Sequence, residues 1–564
     1  MYRSAADLNA TKERLRPVLE ERLQEERPGM PGQVLVCTGI GCISAGGQEV
    51  LAALKRAIKE HGLAITVTHT GCHGYCKMGP LVVVYPGGVF YRRVTPDDVP
   101  RLVRQHLARG EPVKDLLYQE PGRDPVLFVR DVPFFRKQKR IVLANAGLID
   151  PENIHEYVAR DGYAALARVL AELSPEEVID TVTRAGLRGR GGAGFLTGKK
   201  WAFAREAKAE PKYIVCNADE GDPGAFMDRA ILEGDPHAVL EGMLIAGYAV
   251  GASEGWIYVR AEYPLAVRRL EIAVRQARQA GLLGKNILGS NFGFDIDLCL
   301  GAGAFVCGEE TALLRSAMGE RGEPRPRPPY PAEAGLYGKP TVINNVETLA
   351  NIPLILRRGW EWFAGIGTER SKGTKIFSIA GQINNTGLIE VPMGTSMRTI
   401  VYDIGGGVPA GRRLKAVQTG GPSGGCVPAD LLDVPIDYES LAELGTIMGS
   451  GGLIVLDETS CMVDIAKFYL TFAGEESCGQ CTPCRVGVHR MVEILERITG
   501  GRAQEEDLRE LEELAHDVRE TSLCGLGQTA PNVVLSTLRY FRSEYLAHVR
   551  DRHCPAGVCK PLLH

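Results

Sequence analysis

Four cysteines near the end of the chain have the types and spacing best suited to chemistry. Cys478, Cys481 and Cys484 are separated by two residues each, in the segment Glu-Ser-Cys-Gly-Gln-Cys-Thr-Pro-Cys, and Cys524 follows in Ser-Leu-Cys-Gly. Three thiolates at this spacing on one loop hold three corners of an iron–sulfur cube, and a distant cysteine supplies the fourth. Zinc also takes four thiolates. Two Cys-x-x-Cys steps that share a cysteine favour a [4Fe-4S] cluster and one-electron transfer.

A second group of four cysteines lies near the start of the chain. Cys37 and Cys42 form one pair, Cys72 and Cys76 form another, and each pair follows an apolar strand-like run. Loops at strand ends converge readily, and four thiolates hold a [2Fe-2S] cluster. A zinc ribbon is the alternative, but it usually has Cys-x-x-Cys pairs and the gaps here are wider. The pattern therefore favours the [2Fe-2S] cluster.

A glycine-rich loop and three strand ends indicate a nucleotide site. Residues 188–195 read Arg-Gly-Arg-Gly-Gly-Ala-Gly-Phe, and such a loop lets backbone N–H groups approach a phosphate or a flat ring. Residues 213–222 and 301–311 are apolar runs that end in carboxylates, which suit ribose hydroxyls. Asn344 and Asn345 offer amides to a ring edge. A plain turn and helix caps are the alternatives, and the loop lacks the Walker and Rossmann patterns.

Further cysteines lie in the tail of the chain. Cys554 and Cys559, with His553 beside them, could meet Cys461, which begins a predicted helix. Three cysteines and one histidine suit a tetrahedral zinc ion, so we expect a structural zinc that fixes the tail. The alternative is that these are spare thiols.

The elements that position these groups follow from the hydrophobic periodicity. Residues 31–114 have the strand, helix, strand, hairpin and helix order of a thioredoxin-like domain, and the middle of the chain alternates helices and strands in α/β fashion. Four long helical patterns follow residue 457 and fit a four-helix bundle. We divide the chain into seven parts: a helical N-terminal arm, which we expect to contact another subunit, the [2Fe-2S] domain, a linker, an α/β domain with the nucleotide site, a β-rich insert, a [4Fe-4S] helical domain and a tail. Their bounds are residues 1–28, 29–114, 115–140, 141–370, 371–455, 456–550 and 551–564.

Composition narrows the class of protein. The chain has 564 residues, 45% hydrophobic and 24% charged, and a net charge of −4, which gives no sign of a nucleic-acid partner. No apolar run is long enough to span a bilayer, and the N-terminus lacks the apolar core of a secretory signal. Fifteen cysteines without an export signal indicate metal or redox use in a reducing, cytoplasmic compartment.

Taken together, these motifs resemble the NADH-oxidising flavoprotein subunit of respiratory complex I and its relatives in NAD-linked and electron-bifurcating hydrogenases and formate dehydrogenases. The resemblance covers residues 141–550. It rests on the glycine loop, on Cys-Asn-Ala-Asp-Glu at 216–220, on residues 303–310 and 343–348, and on the cube motif. Residues 31–114 resemble the ferredoxin domain fused to the hydrogenase-type subunits. The resemblance also implies that residues 141–370 form an FMN- and NADH-binding domain and that the β-rich insert is a ubiquitin-like β-grasp domain.

The resemblance implies specific cofactor contacts. FMN would be held by Gly189, Gly191, Gly192, Lys200, Asn217, Asp219, Gly308, Asn344 and Asn345. NAD(H) would lie near Phe195, Phe203, Glu309, Glu310 and Tyr330. Further cofactor-binding candidates are Arg190, Ala193, Glu220, Asp222, Phe305 and Thr348. Two of these depart from the family pattern: Phe305 replaces a tyrosine and Asp222 replaces a glutamate.

The predicted function is that of an NADH:acceptor oxidoreductase, or diaphorase, within a soluble multi-subunit complex. A hydride passes from NADH to FMN, and single electrons pass through iron–sulfur clusters to partner subunits; the flavin carries the chemistry, so no catalytic side chain is expected. Expected partners are a small thioredoxin-like [2Fe-2S] subunit, a large hydrogenase or formate dehydrogenase subunit, and ferredoxin if the complex bifurcates electrons. The alternatives are a non-catalytic electron-relay scaffold and a component of respiratory complex I.

Overall fold

The computed structural model describes residues 1–23, 30–120 and 122–562. The chain begins with helix α1 (Ala5–Leu23), which packs against helix α6 (Ile154–Ala159) of the same chain. Arg22 lies buried at this contact, and its Nη1 donates to Glu156 Oε2 at 2.6 Å. The expectation that this arm contacts another subunit is therefore not needed to explain its apolar face.

A four-stranded sheet carries the first cysteine group. Its order is β2-β1-β3-β4, with β1 parallel to β2 and the other neighbours antiparallel. The strands are β1 (Gln33–Cys37), β2 (Thr66–Thr70), β3 (Val82–Tyr85) and β4 (Val89–Tyr91), and the helices are α2 (Ile40–Ser44), α3 (Gly47–Glu60) and α4 (Val99–Arg101). Valine-rich β1 and β3 are buried on both faces, as a strand between helices and a neighbouring domain must be.

The middle of the chain forms a four-stranded parallel sheet in the order β7-β6-β5-β8. Helices α5 (Pro133–Arg136), α6, α7 (Ala164–Glu172), α8 (Pro175–Arg184) and α9 (Thr197–Glu206) come before it. Its remaining elements are β5 (Tyr213–Ala218), α10 (Met227–Gly234), α11 (Pro236–Val250), β6 (Glu254–Arg260), α12 (Pro264–Ala280), β7 (Asp295–Gly301), α13 (Glu310–Ala317), α14 (Pro331–Ala334), β8 (Thr341–Asn345), α15 (Val346–Arg358) and α16 (Trp360–Ala364). Because all four strands are parallel, their carboxyl ends share one edge, where ligands usually bind.

A five-stranded mixed sheet follows, in the order β10-β9-β13-β11-β12. Its strands are β9 (Thr374–Gly381), β10 (Gly387–Pro392), β11 (Leu414–Thr419), β12 (Gly425–Pro428) and β13 (Gly452–Asp457), with helix α17 (Tyr438–Glu443) before the last strand. Strand β13 runs parallel to β9, and the other pairs are antiparallel. The buried pair Lys375–Glu347 joins this sheet to α15.

After β13, the secondary structure of the described chain is helical. They are α18 (Met462–Glu475), α19 (His489–Thr499), α20 (Glu505–Thr521), α21 (Gly525–Thr529) and α22 (Asn532–Val549). Helix α18 packs against α19 and α22, and α20 packs against α22. Their apolar faces share one core with the strand residues Tyr213, Val215 and Tyr258. This shared core places the second cysteine group beside the ligand-binding edge of the parallel sheet.

Candidate flavin, nucleotide and metal sites

The glycine loop is a tight hairpin closed on itself. The N–H of Gly189 donates to the carbonyl of Phe195 at 2.8 Å, and Tyr438 from the insert donates its hydroxyl to the carbonyl of Gly189 at 2.8 Å. Gly192 has φ +123°, which side-chain-bearing residues rarely adopt. A Cβ on Gly191 would lie 3.2 Å from the Cβ of Asn345. The loop, including Ala193, therefore lies directly over the end of β8.

Arg190 lies within the loop, but its side chain faces away from any ligand space. It is fully buried, and its guanidinium donates to the carbonyls of Arg188, Lys372 and Thr374 at 2.6–3.1 Å. Its backbone N–H donates to the hydroxyl of Thr348 at 2.8 Å. Predicted as cofactor-binding residues, Arg190 and Thr348 instead use these groups to hold the loop on the insert and on α15.

Asparagines meet at the edge of the parallel sheet. Asn217 on β5 pairs in register with Asn345 on β8, one residue beyond Cys216 and Asn344. The amide of Asn217 donates to the carbonyl of Gly308 at 2.9 Å, and the amide oxygen of Asn344 accepts from Trp201 at 2.9 Å. Asn345 donates to Asp228 and caps α15. The predicted amides are thus brought together by parallel strands.

Asp219 is the one predicted carboxylate at this edge whose oxygens lack partners. Its side chain is 1% exposed, and neither oxygen has a hydrogen-bond donor among the described residues. Burial raises the pKa of Asp219 to about 8. A buried, unpartnered carboxyl beside Gly308 and Asn217 indicates that a polar group of a ligand belongs here.

Glu220 and Asp222 have structural partners. Glu220 accepts from the backbone N–H groups of Asp228 and Arg229, at 2.7 and 3.1 Å, at the start of α10. Asp222 accepts from the hydroxyl of Ser450 in the insert. Burial raises the pKa of Glu220 to about 7 and that of Asp222 to about 6. Capping, which the sequence left open as an alternative, is the role that the structure gives to Glu220.

The two glutamates at the start of α13 have different partners. Glu309 caps the helix by accepting from Thr311 and Ala312 at 2.9 and 3.0 Å. Glu310 pairs with Lys200 at 3.2 Å and with Arg327 at 2.8 Å. Lys200 also donates to the carbonyl of Ile343 at 3.2 Å. Arg327, which sequence analysis missed, thus joins the predicted site; its Arg-Pro-Arg-Pro-Pro-Tyr context was the available signal.

Three large aromatic side chains stay exposed around this region. Phe195, Phe203 and Tyr330 are 49%, 53% and 55% exposed, although aromatic rings usually find cover. Tyr330 lines a cleft together with Glu309, Arg325, Arg327 and Cys524. Phe305 packs edge-on against Phe472, and its N–H donates to Glu476 at 2.8 Å. Phe305 therefore connects the parallel sheet to the loop of the predicted cube.

The four predicted cube ligands line one small cavity. Cys478, Cys481, Cys484 and Cys524 share its walls with Val306, Pro324, Leu523 and Leu526. Arg485 and Arg321 hold the loop by donating to the carbonyls of Gly479 and Cys478, at 2.9 and 3.0 Å. The cavity and the Tyr330 cleft share Leu523 and Cys524. A thiolate-lined space with apolar walls fits an iron–sulfur cube.

The first cysteine group is also assembled by the fold. Cys37 ends β1, Cys42 lies in α2, and Cys72 and Cys76 follow β2. A Cβ on Gly39 would lie 2.7 Å from the Cβ of Cys72, so the two loops touch because Gly39 has no side chain. Cys37 is close to both Cys42 and Cys72, and Cys72 is close to Cys76. The four thiols therefore fit one two-iron cluster.

The tail group differs from the expectation in one ligand. Cys461, Cys554 and Cys559 come together with His548, and all four ligand atoms lie within 4.8 Å of one another. His553, predicted as the fourth ligand, is exposed and lies outside this group. His548 replaces it because the last turn of α22 directs that side chain inward. Sequence analysis missed it; an apolar helix face that contains a histidine was the only signal.

Distances within the tail group match a single ion. Cys461 Sγ lies 3.8 Å from Cys559 Sγ and 3.4 Å from His548 Nε2. A tetrahedral ion with bonds of about 2.3 Å to sulfur sets two thiolates about 3.8 Å apart. Hydrogen bonds from Cys559 and His548 lower the pKa of Cys461 to about 4, while Cys461 and burial raise the pKa of Cys559, so the two thiols share one proton. Burial lowers the pKa of His548, but Cys461 outweighs it and raises that pKa to about 9.

Comparison with known families places these sites. Residues 182–354 match the Nuo51 FMN-binding domain, residues 464–548 match the iron–sulfur binding region of NADH-ubiquinone oxidoreductase-F, and residues 23–107 match the thioredoxin-like [2Fe-2S] ferredoxins. The fold and sites thus define a flavin- and iron–sulfur-binding oxidoreductase component. The predicted FMN, [4Fe-4S] and [2Fe-2S] cofactors are confirmed by these matches.

Curated relatives identify the family. The chain is 60% identical over 428 residues to HndC, a component of the NADP-reducing hydrogenase of Solidesulfovibrio fructosivorans, in an alignment that covers 76% of this chain and 87% of that protein. It is 46% identical over 415 residues to the F 2 component of the NADH-quinone oxidoreductase of Rhizobium meliloti, covering 74% and 99%. The chain therefore belongs to the family of NADH-binding flavoproteins that includes these oxidoreductase components and their hydrogenase counterparts, as the resemblance predicted.

A solved structure extends the likeness to nearly the whole chain. An NAD+-reducing [NiFe]-hydrogenase in the H2-reduced state matches with a TM-score of 0.66 and 30% identity, covering 97% of this chain and 91% of that chain. This agrees with the predicted combination of a thioredoxin-like and an α/β flavin domain in one polypeptide. Among the described residues, no helix is both long and apolar enough to cross a membrane.

Proposed function

We propose that this chain oxidises NADH and delivers single electrons to the iron–sulfur clusters of a multi-subunit complex. One observation carries the proposal. The cavity lined by the four predicted cube ligands, here called the cube cavity, and the Tyr330 cleft share Leu523 and Cys524, so the two spaces adjoin. When bound, FMN accepts a hydride, which carries two electrons, and iron–sulfur clusters accept those electrons one at a time. A site between the glycine loop and the cube cavity suits that conversion.

In this proposal the side chains bind, orient and shield. The loop glycines and the amides of Asn217, Asn344 and Asn345 would face the flavin, with Lys200 and Asp219 beside them. Glu309, Glu310 and the exposed rings of Phe195, Phe203 and Tyr330 would face the dinucleotide, since carboxylates suit ribose hydroxyls and rings stack on flat bases. The cluster ligands would be Cys478, Cys481, Cys484 and Cys524 for the cube and Cys37, Cys42, Cys72 and Cys76 for the two-iron cluster.

The test is anaerobic reduction of an artificial dye by NADH, with FMN and iron contents measured on the same sample. NADPH is assayed in parallel, because one relative is named as NADP-reducing and the solved neighbour as NAD+-reducing. We expect dye reduction that depends on bound FMN. Full cofactor content without activity from either nucleotide would instead favour the electron-relay scaffold.

The partner is proposed from the relatives. Identity of 60% to a hydrogenase component, against 46% to an NADH-quinone oxidoreductase component, favours a hydrogenase-type complex over a respiratory one. Its other components would be a small thioredoxin-like [2Fe-2S] subunit and a large hydrogenase or formate dehydrogenase subunit, with ferredoxin if electrons bifurcate. Purification of the native complex and identification of its components test this, and membrane-embedded partners would favour the respiratory alternative.

The finer architecture is also proposed. A sheet in the order β10-β9-β13-β11-β12, with β13 parallel to β9 and antiparallel hairpins outside, supports a β-grasp assignment for residues 371–455. The mutual packing of α18, α19, α20 and α22 supports a four-helix bundle in residues 456–550. The other predicted boundaries, at residues 28, 114 and 140, would separate the arm, the ferredoxin domain and the linker.

We assign a structural zinc to the tail group. The ligands are Cys461, Cys554, Cys559 and His548, which are all buried and have the spacing of a tetrahedral ion. The ion would fix the tail after α22 to the start of α18. Spare thiols, the alternative, have no reason to converge on a histidine.

A further inference from the structure

The segments that carry Cys37 and Cys42 and Cys72 and Cys76, here called the two-iron loops, are enclosed by the rest of the chain. A Cβ on Gly71 would lie 2.4 Å from the Cα of Gly234, so the loop before Cys72 contacts the end of α10 directly. On the other side, the N–H of Leu388 donates to the carbonyl of Gly74 at 2.7 Å, and Tyr75 donates to Asn385 at 2.9 Å. The surroundings of these cysteines therefore belong largely to the flavin domain and the insert.

Helix α10 runs from the predicted flavin site, at Glu220 and Asn345, to the two-iron loops. Its second and third residues, Asp228 and Arg229, donate their N–H groups to Glu220, and Asp228 accepts from Asn345. Its last residue is Gly234, at the Cys72 loop. Eight residues at 1.5 Å each make a helix of about 12 Å, so the two sites lie close to its opposite ends.

Three arginines from outside the ferredoxin domain face the two-iron loops. Arg269 on α12 is 1% exposed, and its Nη2 donates to the hydroxyl of Thr38, next to Cys37, at 2.8 Å. Arg229 on α10 lies 3.9 Å from Glu233, the neighbour of Gly234, which touches the loop before Cys72. Arg140 donates to the carbonyl of Ala146 at 3.2 Å, and a Cβ on the next residue, Gly147, would lie 2.3 Å from Nδ1 of His73, the neighbour of Cys72. The three cations therefore lie beside the loops that carry Cys37, Cys72 and Cys76.

Acidic neighbours only partly offset these charges. Glu390 accepts from the N–H groups of Ile141, Val142 and Leu143 at 2.9–3.0 Å and from Thr374, so both of its oxygens already have hydrogen-bond partners. Glu233 lies 3.9 Å from Arg229, and burial raises its pKa, which weakens its charge. Glu152 lies 3.6 Å from Arg269, and its contact with His69 lowers its pKa to about 2, so this carboxylate is charged and offsets part of the Arg269 charge.

We propose that Arg229, Arg269 and Arg140 raise the reduction potential of the fused [2Fe-2S] cluster, so that the flavin domain tunes the cluster docked on it. Reduction adds one electron to a group that already carries negative charge, and buried cations that water screens poorly stabilise that added charge. The proposal rests on the proposed ligand set of Cys37, Cys42, Cys72 and Cys76. These arginines are positioning residues, since they lie beside the cysteine-bearing loops and none of them ligates iron.

The test is an EPR-monitored redox titration of the full-length, cluster-loaded protein. In Arg229→Gln we expect the ratio of reduced to oxidised [2Fe-2S] cluster at the wild-type midpoint to fall about tenfold, a shift of about 59 mV for a one-electron couple. Arg269→Met should shift the midpoint in the same direction. Arg269→Lys, which keeps the positive charge, should have a midpoint close to that of the wild type. Arg278→Gln is the matched control, because Arg278 lies on the same helix α12 and pairs with Asp295 and Asp297 at the surface.

The outcomes separate the two proposals. A wild-type protein without a [2Fe-2S] signal contradicts the ligand set itself. A normal signal with an unchanged midpoint in both Arg229→Gln and Arg269→Met overturns the tuning role. Loss of the cluster from Arg229→Gln also counts against it, because the arginine would then support folding and not potential. The midpoint of the [4Fe-4S] cluster in the same samples should not move.

Discussion

The cube cavity and the tail group are both built from four ligating side chains in the helical region, yet they differ in spacing. The tail ligands lie within 4.8 Å of one another, and among the described residues they are the only group of three or more that does. The cube cysteines instead surround a cavity. A cluster places iron and sulfide between its thiolates and so keeps them apart, whereas a single ion draws its ligands together.

The largest expected effect comes from removing a cube ligand. Cys524→Ala should abolish the [4Fe-4S] EPR signal and release up to about four irons per chain, because three thiolates leave one corner of the cube open. Zinc content should stay the same, since the tail group is separate. Iron and zinc analysis of one sample measures both.

Cys299→Ala is the control for that experiment, because Cys299 lies on β7 and lines neither site. A Cys524→Ala protein with full iron and a wild-type signal would show that another residue completes the cube.

The tail group gives the next effect. His548→Ala should lower zinc from about one equivalent to almost none and destabilise the protein, because a structural zinc contributes folding free energy directly. His553→Ala should change neither, since His553 is exposed. Zinc analysis and thermal unfolding of both variants decide between them. A zinc-free wild type with all its iron would remove the proposal, and zinc lost from His553→Ala alone would restore the original ligand set.

This comparison also shows what sequence could and could not predict. Most of the cube and two-iron cysteines are close together in sequence, as in 478–484, 37–42 and 72–76, so spacing in sequence limits their spacing in space. The fold then gathers each set of four thiols in one place. His548 lies on a long helix, and only the crossing of α22 over the start of α18 makes it a neighbour of Cys461. A ligand set that depends on how two helices pack cannot be predicted from the spacing of residues in sequence.

The flavin region shows the same limit. Strand ends at Asn217 and Asn345 were predictable because parallel strands align their carboxyl ends. The direction of Arg190 was not, since it follows from carbonyls in the insert, far along the chain. The glycine spacing identifies the loop, but tertiary contacts decide which side chains face the ligand.

Asp219 extends the comparison to the predicted flavin site, where both of its buried oxygens lack hydrogen-bond partners among the described residues. Its folded pKa of about 8 lies above the usual value, so the folded state holds a proton that the unfolded state releases. In flavin-free protein, stability should therefore fall as pH rises from about 4 to 8, by up to roughly 5 kcal/mol. Asp219→Asn should remove that part of the slope.

Denaturant unfolding of flavin-free wild type and Asp219→Asn at about pH 5 and about pH 8, on either side of most of this titration, measures the difference. Glu177→Gln serves as the control, because Glu177 caps an exposed helix start with its own partners. Identical pH slopes in wild type and Asp219→Asn would mean that Asp219 has a protein partner in solution. The site would then have no unpartnered carboxyl for a ligand.

The smallest effect belongs to the open end of the cleft. Tyr330→Ala should raise the KM for NADH about two- to tenfold with little change in kcat, because a stacked ring contributes about 0.5–1.5 kcal/mol of binding. Tyr337→Ala is the matched control, since Tyr337 is 54% exposed against 55% for Tyr330 but lies outside the cleft. Steady-state dye reduction gives both constants. Equal KM values in the two variants would mean that NADH binds outside the cleft. The cleft's contact with the cube cavity through Cys524 would then play no part in electron transfer from NADH.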